Sequence, residues 1–184
     1  MNDSNPTGPA GLARLYTDIA FFRRGPADVP FSRRVLGLTV VAYLLLSLAL
    51  STVMPVVADN RVALILVDSA LGLGWYWVVL KVAGRPERFL QTASAVFGFQ
   101  TALQPLFVAV TWLFIQYMKD PTWQAPVSLL LLVLAIWMLA INARVLRLAT
   151  EWPQFACIGV VMLQSLAGRL IEMSLFPDVT PPTP

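Results

Sequence analysis

Histidine is missing from this 184-residue chain, and cysteine occurs once, at Cys157. The first absence removes the commonest general base and the commonest ligand of zinc, copper and haem iron. The second excludes an intrachain disulfide or thiolate cluster, and leaves Cys157 as a small apolar residue packed in a helix. Charge is scarce too. Asp, Glu, Lys and Arg make up 12% of the chain, against roughly 25% in soluble domains. So few charges cannot coat a water-facing surface. The sequence also lacks a Gly-rich phosphate loop, a Ser or Cys beside a suitable base, and a facing pair of carboxylates. We therefore expect no catalysis, no cofactor and no metal.

What the chain has instead is long apolar runs. Val35–Val57 holds 23 residues without a charge, more than the ~20 that cross ~30 Å of hydrocarbon as a helix. It starts too late and runs too long for a cleaved signal peptide. Four more runs follow, at about 62–82, 89–117, 123–143 and 155–176. The expected fold is all-α: a five-helix transmembrane bundle over residues 33–176. Residues 1–10 read as a disordered start, and the Pro-rich residues 177–184 as an extended external tail.

Residues 11–32 form a separate prelude. Leu12, Leu15, Tyr16, Ile19 and Phe22 recur at helical spacing, with Arg14, Thr17, Asp18 and Arg24 tending to the other face. Such a helix lies in the membrane interface or packs on the protein's own cytoplasmic side. Gly25-Pro26 ends it, and Ser32 stands where an N-cap would start the first span.

Basic residues set the orientation. Arg14, Arg23, Arg24, Arg33 and Arg34 precede the first span; Lys81, Arg85 and Arg88 lie between the second and third, and Arg144 and Arg147 between the fourth and fifth. The opposite loops hold only Arg61 and Lys119. Ten against two places the N-terminus in the cytoplasm and the C-terminus outside. The basic side faces the anionic inner leaflet, a simpler partner than nucleic acid.

Ionisable groups inside a bilayer cost about 2.5–3.5 kcal/mol each, so each needs a partner or a wet cavity. At ~1.5 Å rise per residue, Asp68 lies roughly 9 Å below the outer surface, Arg169 roughly 10 Å and Glu172 roughly 6 Å. Gln104 of the third span belongs to about the same level. We expect Asp68 to pair with Arg169, with Gln104 or Glu172 closing a polar cluster. That cluster is either a structural clasp or a pocket for a headgroup, a small substrate or a proton. The first span holds only Thr39, Tyr43, Ser47, Ser51 and Thr52 as polar residues, and so reads as a peripheral helix.

The segment Arg88-Phe-Leu-Gln-Thr-Ala-Ser-Ala-Val-Phe-Gly98, with five spans, an amphipathic N-terminus and a short external tail, resembles the Yip-type membrane proteins. A Phe-x-Gln-Thr-like opening of the third span followed by a Gly recurs in that family. Phe22-Arg-Arg-Gly-Pro-Ala-Asp-Val-Pro30 is similar to the pre-span segment of proteobacterial inner-membrane proteins. The resemblance implies a non-enzymatic five-helix protein that works through association with proteins or lipids. The small-GTPase and vesicle-traffic role of eukaryotic members has no counterpart in a bacterial cell. The expected function is a scaffold or accessory subunit bound to another membrane protein or to copies of itself. The alternative is a small transporter or lipid-handling protein built on the layer around Asp68 and Arg169.

Overall fold

The computed structural model describes residues 8–53 and 60–175. Both termini and the last residues expected for the first span, 54–57, lie outside that range. Among the described residues there are six α-helices: α1 (Pro9–Ala20), α2 (Arg33–Ser51), α3 (Arg61–Val82), α4 (Phe89–Tyr117), α5 (Gln124–Thr150) and α6 (Gln154–Leu175). There is no strand among the described residues. The five helices from α2 to α6 are long and apolar enough to cross a membrane, and the chain is a multi-pass membrane protein.

The helix ends follow local chemistry. Ser32 caps α2, its Oγ accepting from the Arg34 amide at 3.2 Å. α1 stops at Ala20, four residues short of the expected end, because Phe22 turns left-handed (φ 61°). The Arg23 amide then bonds Asp18 O (2.8 Å) and the Phe22 amide Ile19 O (3.0 Å), which satisfies two carbonyls of the last turn. Gly84 (φ 71°) closes α3 in the same way, at a position where a side chain would be strained. α5 runs seven residues past the expected boundary. Arginine is a good helix former, so Arg144 and Arg147 extend the helix until Glu151 adopts φ 63° ahead of Pro153. Pro105 lies inside α4 without ending it, as neighbouring helices permit in membrane bundles.

α4 is the central helix. It packs most closely on α2 and α5, and also on α1 and α3. Every residue from Thr92 to Phe99 is buried. α6 packs on α5 and touches α3 along one edge. Leu38, Val41, Leu45 and Leu48 are exposed along one stripe of α2, the pattern of a lipid-facing helix surface.

Of the two positions open to α1, the structure has the packed one. Leu12, Leu15, Tyr16, Ile19 and Ala20 are all buried, against α4 and the start of α2. The Tyr16 hydroxyl meets Thr39 Oγ1 at 2.7 Å, and Trp137 Nε1 donates to Ala20 O at 3.2 Å. The apolar stripe faces protein rather than lipid, and Phe22 falls off it, exposed.

Candidate functional site

The contact between α3 and α6 opens into a cavity of about 250 Å³, room for roughly eight waters at ~30 Å³ each. α3 contributes Asp68 and Gly72, α4 Gln100 and α5 Asn142. The longest wall is α6, where Val161, Gln164, Ser165, Gly168, Arg169 and Glu172 line one side. Spacings of three and four residues put them on one face of that helix. The floor is closed from below: Tyr76, 1% exposed, donates its hydroxyl to Asn142 Oδ1 at 3.1 Å.

Asp68, Arg169 and Glu172 thus share one cavity, but the expected Asp68–Arg169 ion pair does not form. Arg169 Nη1 lies 3.3 Å from Glu172 Oε2, three residues along its own helix. An i, i+3 partner is held in reach by the helix itself, whereas Asp68 stands across the cavity on α3. Its Oδ2 accepts from the Tyr43 hydroxyl of α2 at 3.4 Å, and no cation pairs with it among the described residues. The ionisable groups on the cavity wall are two carboxyls and one guanidinium, so the wall carries a surplus negative charge only when both carboxyls are ionised.

Gln104 belongs elsewhere. One step of four residues beyond Gln100 rotates it by about 40° around α4, enough to aim it at α2, where Nε2 donates to Ser47 Oγ at 2.5 Å.

α2 is peripheral along its Leu38–Leu48 stripe, as expected, but its other face bonds into the bundle. Thr39, Tyr43 and Ser47 stand four apart and bond three different elements: α1 through Tyr16, α3 through Asp68 and α4 through Gln104. A row at i, i+4, i+8 slants around the helix, so each member meets another neighbour. Ser51 extends the row with its carbonyl, which accepts from Arg61 Nη1 at 3.0 Å. Two pairs of small residues stand four apart: Ser94 and Gly98 of α4 are buried at helix contacts, while Ala70 and Gly74 of α3 face outward.

The basic end of the molecule divides into three groups. Arg14, Arg23, Arg24, Arg33 and Arg34 are exposed, with Asp18 within 3.9 Å of Arg23 and 3.5 Å of Arg24. Arg85 and Arg88 are instead engaged inside the protein. Both pair with Glu151, and Arg88 Nη1 also donates to Leu148 O (3.1 Å) and Ala149 O (3.0 Å). Those carbonyls are at the negative end of α5, where a cation is favoured. Arg144 and Arg147 make no hydrogen bond or ion pair among the described residues.

Tyr43, Tyr76 and Ser165 were missed by sequence reasoning as site residues. The spacing of Gln164, Gly168 and Glu172, each four apart, is the signal that would have assigned the whole α6 wall. Comparison of the chain with protein-family models, curated proteins and solved structures finds no match.

Proposed function

We propose that this is an inner-membrane protein that holds a small polar solute or lipid headgroup carrying positive charge in the cavity between α3 and α6. The observation that supports it is Asp68, a carboxyl group within the membrane-spanning region that faces a polar cavity and has no cationic partner among the described residues. An unpaired intramembrane charge is costly and marks a ligand or proton path more often than a packing contact. A bound cation offsets the surplus negative charge. The amides of Gln100, Asn142 and Gln164 supply hydrogen bonds that orient its polar groups. The excess of basic residues at the α1 end supports a cytoplasmic N-terminus against the anionic inner leaflet, and so an outward-facing cavity.

A second reading, an accessory subunit bound to another membrane protein or to a second copy, is favoured by one feature. The Arg169 side chain is 53% exposed on the flank of the bundle, and a partner helix would shield it from lipid. The place in the Yip-type family belongs with that reading. It is supported by the helix count and by the opening of α4, where Gln91 holds the connector through Val29 O (2.9 Å) and Gly98 admits Tyr16.

The test is thiol accessibility. With Cys157→Ala as background, Ser165→Cys in intact cells is expected to react with a membrane-impermeant thiol reagent added outside. Protection by an added amine solute identifies the ligand class. An unreactive Ser165→Cys in a protein that co-purifies with a stoichiometric membrane partner reverses the order of the two readings.

A further inference from the structure

A second concave site lies between the C-terminal turns of α5 and the start of α6. Its volume is about 720 Å³, and Phe22, Ala140, Arg144, Arg147, Glu151 and Gln154 line it. Arg144 stands over the Phe22 ring, 5.4 Å from its centroid. Its Nη1 is buried with no hydrogen-bond partner. Arg147 projects beside it, exposed and unpaired. The one carboxylate in the wall, Glu151, is already held by Arg85 and Arg88. Four guanidinium groups therefore stand against one carboxylate. The first helical hydrogen bond of α6 is donated by the Cys157 amide to Pro153 O (3.2 Å). The amides of residues 154–156 are thus left for a ligand at the positive end of the helix dipole.

Two unpaired guanidinium groups, one with a buried open donor, meet a helix N-terminus beside an apolar stretch of wall formed by Phe22, Ala140 and Leu148. That is the chemistry of a phosphate ester attached to a hydrocarbon body. We propose that this groove binds the phosphodiester headgroup of an anionic phospholipid. Arg144 and Arg147 clamp the phosphate against the start of α6, and the glycerol and first methylenes lie on Phe22 and Leu148. The site is independent of the cavity at Asp68 and stands whether or not that cavity holds a solute.

Native mass spectrometry of the full chain in a nonionic detergent tests this, with phosphatidylglycerol and phosphatidylcholine offered together. The wild type is expected to retain phosphatidylglycerol in preference. Arg144→Gln/Arg147→Gln is expected to weaken retention by about 30-fold, taking roughly fivefold per cation near a membrane surface. Arg33→Gln/Arg34→Gln, outside the groove, leaves it unchanged. Because shortening Arg144 also disturbs its packing on Phe22, Gln154→Glu gives an independent arm. A carboxylate there suits the helix N-terminus but repels the phosphate, so lipid is lost while the melting temperature holds. Equal retention of the two lipids overturns the proposal, as does retention that Gln154→Glu leaves intact. Saturable binding of inorganic phosphate at millimolar concentration, without lipid preference, overturns the lipid assignment.

Discussion

The seam between α1 and α4 is closed by one missing side chain. A Cβ built on Gly98 would lie 2.3 Å from two ring carbons of Tyr16 and 2.5 Å from a third, well inside van der Waals contact. The ring cannot simply swing away, because Tyr16 is 7% exposed and its hydroxyl is tied to Thr39 at 2.7 Å. Gly98→Ala therefore forces one of two responses. Either α1 shifts outward, at the ~1–3 kcal/mol typical of overpacking, or Tyr16 leaves its pocket. The second forfeits ~3–5 kcal/mol of aromatic burial and about 1 kcal/mol of hydrogen bond. The cheaper response dominates, so α1 docking weakens by about 1–3 kcal/mol, which raises the undocked population roughly 5- to 150-fold. Trypsin cleavage after Arg14 reads that population directly, since a bond inside α1 is cut only when the helix opens. Tyr16→Ala removes the obstacle, so adding Gly98→Ala to it should cost almost nothing, a coupling of more than about 1 kcal/mol. Cleavage of Gly98→Ala at the wild-type rate, or an equal cost in the Tyr16→Ala background, refutes the wedge.

Two further outcomes follow from the same geometry. Burial pushes the Tyr16 hydroxyl above its ordinary range, an effect that the hydrogen bond to Thr39 only partly opposes. With the folded value raised, its contribution to stability is complete below about pH 10 and is lost as pH rises further. The fall in melting temperature between pH 9 and pH 11 is therefore expected to be smaller in Tyr16→Phe; an identical fall contradicts the assignment. Arg88→Gln removes the donors to Leu148 O and Ala149 O together with the Glu151 pair. It is expected to cost about 2 kcal/mol, or roughly 4–8 °C in melting temperature. Arg88→Lys should not restore it, because a single ammonium cannot span all three acceptors; a wild-type melt for the lysine variant would count against the clamp.

Composition made the bundle legible, because a charge-free run of bilayer length has few other uses. The start of α2 was readable from Ser32, and the limits of α4 came straight from Phe89 and Tyr117. The end of α5 was not readable, since nothing before Glu151 forbids another turn. At the site, depth arithmetic brought Asp68, Arg169 and Glu172 to one cavity, but depth carries no azimuth. A helical partner three residues away therefore captured Arg169, and Gln104 turned toward α2. The first span misled on its bonded face because hydroxyl residues score as near-apolar on a hydropathy scale. Their four-residue spacing, from Thr39 through Tyr43 to Ser47, was the information overlooked.

The unbroken burial of Thr92–Phe99 has a mechanical consequence. Those two turns of α4 are enclosed by neighbouring helices, while a cavity of about 250 Å³ opens between α3 and α6 beside Gln100 and Asn142. A packed centre beside a hollow contact is expected to yield first by the splaying of α3 and α6. The tips of those two helices are also where the bilayer exerts its lateral pressure. The volume available beside Asp68 is then set by the membrane as well as by the chain, and bilayer thickness and tension act on the site without touching it.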